Sequence, residues 1–195
     1  MTRNGPARSD ATGAPTGAPR GHAPAWTRVV LVGFMGSGKT NVGRLLARRL
    51  GWRFVDLDEE VEAATGRTVE EIFRERGEAA FRELEATAGT AALARDRTVL
   101  APGGGWSLAP GRLEALPAGS LSVWLKVSAE TAVRRATTLG RVRPLLAGAD
   151  PVDRARALIG EREPVYARAH LHLDTERVTP AALVRAIAEH VEAKR

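Results

Sequence analysis

From Trp26 onward the chain alternates short apolar runs with stretches of helical spacing. Arg28–Val32 (RVVLV) is apolar over a strand's length, which predicts a buried strand entering a Gly-rich turn. Lys39–Leu50 then carries Val42, Leu45, Leu46 and Arg49 at helical spacing and stops at Gly51. Arg53–Val55 is a second short strand, ending in Asp56-Leu57-Asp58; alternation along a strand predicts that the two aspartates point to opposite sides. Thr68-Val69-Glu70-Glu71 is a capping box that opens a helix, and Glu78–Arg95 is another long helix. Thr98–Ala101 predicts a strand running into Pro102-Gly103-Gly104-Gly105, and Leu121–Val127 a fully buried strand followed by a helix capped at Ser128. A polar segment at 139–150 precedes a helix over Pro151–Ala169. Leu171–Leu173 is a last strand, and Thr179-Pro180 begins the terminal helix with proline in its first position. Strands alternating with helices make the fold class α/β, a parallel sheet covered on both faces.

Residues 1–25 are rich in Gly, Pro, Ala, Thr and Arg and have no aromatic residue or aliphatic run. Such a segment buries too little apolar surface to offset its ordering entropy, so it reads as a disordered extension before one domain over 26–195. It has no apolar secretory stretch and no amphipathic transit-peptide pattern. With no cysteine in the chain, disulfides, thiolate metal sites and cysteine nucleophiles are excluded, and a cytoplasmic location is expected. No stretch approaches 18 apolar residues, so no membrane span is predicted. The net charge of +6 suggests a nucleic-acid partner only until it is divided. Half of it comes from Arg3, Arg8, Arg20 and Arg28 against Asp10, and no basic block exceeds two residues. Neither a polyanion groove nor a nucleic-acid partner is expected.

Gly33-Phe34-Met35-Gly36-Ser37-Gly38-Lys39-Thr40 fits G-x-x-x-x-G-K-[ST], with a strand before it and a helix after it. Glycines let successive N–H groups point inward, and the helix N-terminus adds partial positive charge. Gly36, Ser37 and Gly38 would then cradle the phosphates of ATP, Lys39 would reach its β/γ oxygens, and the Thr40 hydroxyl would ligate Mg²⁺. Only Lys39, Lys126 and Lys194 are lysines among 29 basic residues; one of them stands where a compact ammonium fits and a guanidinium fork does not. A P-loop alone suits GTPases, motors and small-molecule kinases equally. No N-K-x-D guanine signature is present, and the remaining length suits a kinase. Of Asp56 and Asp58, one could face Mg²⁺ and the other an acceptor hydroxyl. Any one arginine in so arginine-rich a chain is by default a solvated surface residue.

Order and spacing change that for a particular set. The P-loop followed by Val42-Gly43-Arg44-x-Leu46-Ala47, Phe54-Val55-Asp56-Leu57-Asp58, Thr65–Phe73, and Gly77-Glu78-x-x-Phe81-Arg82-x-x-Glu85 resemble the shikimate kinases. So do the Gly103–Gly105 triplet, Arg143-Pro144-Leu145-Leu146 and Arg162-x-Pro164-x-Tyr166, a resemblance that covers roughly 28–193. It implies a nucleoside-monophosphate-kinase-like sheet of five strands, a substrate-binding segment at about 56–86 and a lid at about 139–150. It also implies Mg²⁺-dependent transfer from ATP to the 3-hydroxyl of shikimate by a monomer. By the same resemblance Asp58 meets that hydroxyl, Arg82 and Arg162 clamp the carboxylate, and Gly103, Gly104 and Gly105 contact the ring hydroxyls. Arg143 belongs to the lid, Asp56 acts through water on Mg²⁺, and Arg135 with Thr175–Pro180 holds adenine. Pro102 and Trp106 depart from the usual pattern, and Trp106 is expected to shape the acceptor pocket. The alternatives are a kinase of another cyclitol or of gluconate, and a weakly active regulatory relative.

Overall fold

A computed structural model describes Met1, residues 25–138 and residues 150–194. The expected disordered extension therefore lies almost wholly outside the described residues, as does nearly all of the expected lid. The elements are β1 (Arg28–Val32), α1 (Lys39–Leu50), β2 (Arg53–Asp56), α2 (Leu57–Thr65), α3 (Val69–Leu93) and β3 (Thr98–Ala101). They continue with a 3₁₀ turn (Trp106–Leu108), β4 (Ser120–Lys126), α4 (Ala129–Thr138), α5 (Pro151–Tyr166), β5 (Leu171–Asp174) and α6 (Pro180–Glu192).

The five strands form one parallel sheet in the order β2-β3-β1-β4-β5. Residues of β1 alternate between its two faces. Val29 and Leu31 join Val42 and Leu46 of α1 and Ile187 of α6, while Val30 and Val32 join Leu93 of α3, Trp124 and Tyr166. Each such fully buried aliphatic side chain contributes roughly 1.5–3 kcal/mol. The all-apolar run RVVLV is thus explained by helices on both sides, as expected for a parallel sheet.

Three local outcomes differ from the sequence expectation. The helices opened at Thr68 and at Glu78 are both present, as the two parts of α3 on either side of the non-helical Gly77 (φ 79°, ψ 172°), but the second ends at Leu93 rather than at Arg95. The reciprocal bonds of the capping box are present, Glu71 N–H to Thr68 Oγ1 at 3.2 Å and Thr68 N–H to Glu71 Oε2 at 2.8 Å. Secondly, α5 ends at Tyr166 rather than at Ala169. Thirdly, β2 gives way to α2 immediately after Asp56, so Asp58 lies on a helix and the strand-alternation argument does not apply to it.

Candidate functional site

The phosphate loop, the Asp56 turn, the glycine triplet and the loop at Thr175 all leave the C-terminal ends of strands, where open parallel sheets bind ligands. The strand order then sets the order of chemistry across the cleft. β2 and β3 carry Asp56, Asp58 and the glycine triplet; β1 in the centre carries the phosphate loop; β4 and β5 lead to Arg135 and Thr175. A cavity of about 860 Å³ runs along this edge, from Asp58 and Gly103 past Lys39 to Thr175 and Pro180.

At the centre, the backbone turns inward at Gly36 (φ 75°), where a Cβ would stand 2.7 Å from the Ala132 carbonyl of α4. Gly38 caps α1 without any side-chain bond, so the first amides of α1 face the loop. Ser37 is buried and donates its N–H to Phe34 O at 3.2 Å. The Lys39 ammonium lies across the loop, donating to Gly33 O at 2.8 Å and Phe34 O at 3.2 Å. Beside it the Thr40 hydroxyl donates to Asp56 Oδ2 at 2.7 Å. Asp56 Oδ1 accepts the Asp58 N–H at 3.1 Å and caps α2. Both aspartates line the cavity, which corrects the expectation that they point to opposite sides. The hydroxyl–carboxylate pair is an all-oxygen donor set beside a phosphate loop, which fits a Mg²⁺ ion that keeps most of its waters. No cluster of three or more acidic, His or Cys ligands occurs among the described residues.

The surroundings of the glycine triplet are organised by Glu85, a residue to which sequence reasoning gave no role. It is fully buried on α3; its Oε1 accepts the Gly103 N–H at 3.0 Å and its Oε2 accepts Arg82 Nη1 at 2.7 Å. Burial pushes its pKa up, and Arg82 works against that rise. The triplet makes room for these side chains. A Cβ on Gly103 would be 2.5 Å from Glu85 Oε1 and 3.3 Å from Asp58 Oδ1, and one on Gly105 would be 2.5 Å from Arg82 Nη2. Gly104 faces the other way: its Cβ position lies 3.5 Å from Met35 N in the phosphate loop and 3.7 Å from Arg162 Nη1, and its carbonyl accepts the Tyr166 hydroxyl at 2.5 Å. Arg162 is buried with its guanidinium 5.5 Å from the Phe34 ring centroid. Arg82 and Arg162 thus approach successive glycines of one loop. A signal for Glu85 was present in the sequence: with Phe81, Gly89 and Ala92 it falls on the inward face of α3, where a carboxylate requires a partner.

Trp106 lies elsewhere. It is buried in the core beneath α3, its indole Nε1 2.8 Å from the position of a Cβ on Gly89, so it does not shape the acceptor pocket. On the base side Arg135 donates to Gly36 O (3.1 Å), Thr175 Oγ1 (3.1 Å) and Thr175 O (2.9 Å), tying the phosphate loop to the loop after β5. Ser128 Oγ accepts the Thr131 N–H at 3.3 Å, the expected cap of α4, and Glu176 in turn accepts from Ser128 N–H (2.8 Å) and Oγ (2.6 Å). Arg143 lies outside the described residues.

A phosphate loop at the edge of a parallel sheet, with two arginines at the neighbouring glycine loop, is the arrangement of a P-loop kinase of small acceptors. The model of the family described as Shikimate kinase matches residues 35–192. Similar chains include the shikimate kinase of Moorella thermoacetica, 48% identical over 165 residues (85% of this chain, 94% of that one). That of Mycobacterium tuberculosis is 45% identical over 166 residues (85% and 93%). Among solved structures, shikimate kinase from Acinetobacter baumannii in complex with shikimate superposes with a TM-score of 0.80 at 34% identity, over 87% of this chain and 95% of that one. A gluconokinase from Sinorhizobium meliloti, at 19% identity and TM-score 0.55, shares the fold alone. The chain belongs to the shikimate kinase family. Among the described residues no helix is long and apolar enough to cross a membrane.

Proposed function

We propose that the protein transfers the γ-phosphate of ATP to the 3-hydroxyl of shikimate, giving shikimate 3-phosphate and ADP, in aromatic amino-acid biosynthesis. The observation that carries this reading is the placement of Arg82 and Arg162 at one glycine loop, across Gly104 from the phosphate loop. Two guanidinium forks suit one carboxylate. A ring held there by its acid group presents a hydroxyl toward Asp58, whose carboxylate orients it and accepts its proton late in the transfer. The hydroxyl oxygen forms a bond to the γ-phosphorus as the bond to the β-phosphate oxygen breaks, and ADP leaves. Lys39 gives up its loop carbonyls for the phosphate oxygens and offsets charge on them, while the uncapped start of α1 contributes its dipole. Thr40 and Asp56 would hold Mg²⁺, which would supply charge neutralisation for the phosphates. Arg135 and the loop through Pro180 take the adenine.

The test is a coupled ADP-release assay against shikimate, quinate, gluconate and nucleoside monophosphates, with and without EDTA. Turnover is expected with shikimate only, lost with EDTA, and lost in Lys39→Ala with an unchanged melting temperature. Equal turnover with gluconate, or EDTA-resistant turnover, would sink the assignment.

A further inference from the structure

Arg82 is already occupied by acids. Its Nη1 is held by the buried Glu85, which also anchors Gly103. Its other edge, Nε and Nη2, donates to one oxygen of Glu78, at 3.2 and 2.9 Å. The two acids differ in kind. The Glu85 side chain is 1% exposed and cannot leave without stranding Gly103 N–H and a charge, whereas that of Glu78 is 55% exposed and contacts solvent. One guanidinium face approaches Gly105 at less than the width of a methyl group, so a ligand must reach Arg82 by an edge. The edge that can be vacated is the one Glu78 holds. Glu78 also directly follows the break in α3: Gly77 is non-helical, and a Cβ there would meet nothing within 4 Å. This glycine therefore serves its backbone angle rather than its packing, at a joint where Glu78 can turn away from Arg82.

We propose that Glu78 is a specificity-determining residue: an internal stand-in for the acceptor's carboxylate, which holds the Nε/Nη2 edge of Arg82 until a carboxylated acceptor displaces it. This rests on the reading of Arg82 as a carboxylate ligand. Charge supports it. Glu78, Glu85 and Asp58 surround this corner, and Asp58 adds to the upward push on the Glu85 pKa, so an arriving anion meets an acid-rich pocket until one acid swings out. A neutral polyol cannot compete for the fork and leaves it shut. The energy at stake is that of a half-exposed pair, equivalent to about a two- to fivefold change in affinity.

The experiment measures acceptor dissociation constants by calorimetry without ATP, for shikimate and its carboxamide, in wild type, Glu78→Gln, Glu78→Ala and Arg82→Ala. Both Glu78 variants are expected to bind shikimate about two- to fivefold more tightly and the carboxamide no more tightly than wild type does. Weaker shikimate binding in both would make Glu78 a support for Arg82 and overturn the proposal; equal tightening for acid and amide would do the same. The Arg82 reading is judged separately. If Arg82→Ala keeps the wild-type preference for acid over amide, that reading fails and this inference with it. If the preference disappears while the Glu78 variants bind no better, this inference alone fails.

Discussion

On the proposed reading, Arg82→Ala should do two separable kinds of damage, because the guanidinium would serve the acceptor and also pairs with a buried carboxylate. The first is functional: losing one fork of a carboxylate clamp costs about 2–4 kcal/mol in kcat/KM for shikimate, roughly 30- to 1000-fold. The second is structural. Glu85 would keep its bond from Gly103 but lose its counter-ion at 2.7 Å. Removing one partner of a buried pair costs about 3–5 kcal/mol; because the Arg82 side chain is 29% exposed, water admitted by the small alanine offsets part of this, leaving about 2–3 kcal/mol. At roughly 2–4 °C per kcal/mol for a domain of this size, melting falls by about 4–12 °C at neutral pH. The pH dependence identifies the cause. The Glu85 pKa is already raised by burial, and without Arg82 it rises further. An acid with a raised folded-state pKa contributes stability that is complete below its unfolded value, near 4.5, and is lost as pH rises through the folded value. The deficit of Arg82→Ala should therefore be small near pH 4 and grow toward neutrality. Adding Glu85→Gln removes the stranded charge and keeps an acceptor for Gly103, so Arg82→Ala/Glu85→Gln should regain most of the stability and none of the shikimate activity. Calorimetric melts at several pH values, with coupled kinetics, check both. A deficit independent of pH, or a double variant no more stable than the single one, would refute the reasoning.

Two further outcomes follow from the same contacts. Gly89→Ala should lower stability by about 1–3 kcal/mol by overpacking against Trp106 while leaving acceptor KM close to wild type, whereas Gly105→Ala should raise acceptor KM by displacing Arg82, with a smaller loss of melting temperature than Arg82→Ala because the guanidinium stays near Glu85; a raised acceptor KM with unchanged melting in Gly89→Ala would contradict the placement of Trp106 in the core. His170 Nδ1 accepts the Ser122 N–H at 3.1 Å, and its pKa is lowered by burial, with Lys194 and His190 adding to the effect. That stability is complete above pH 6.5 and is lost as pH falls through the lowered folded value; His170→Asn, with a non-titrating acceptor, should flatten the decline, and an unchanged pH profile would argue against it.

Much of this protein is legible from residues that lie close together along the chain. The period of the apolar pattern, the caps at Thr68 and Thr179, and the strand–loop–helix around Lys39 all report local physics, and the five-stranded parallel sheet agrees with them. The phosphate loop, Asp56 and the glycine triplet could be gathered because each stands at the end of a strand, and parallel strands end on one edge. What remained hidden depended on distance across the fold. Asp58 was assigned the wrong geometry because β2 stops at Asp56 to let that side chain cap α2, an alternation between strand and helix that no periodicity announces in two residues. Trp106 follows the glycine triplet directly, yet its ring packs against Gly89, 17 positions earlier, because α3 crosses over it there. Glu85 stands in the sequence as the last residue of a motif, with no partner in view. Only the packing of α3 against the loop after β3 buries it, gives it Gly103 and Arg82 as partners, and so makes a surface-type residue the support of the glycine loop. A side chain's chemistry is carried by the sequence, but its dielectric and its neighbours belong to the tertiary fold.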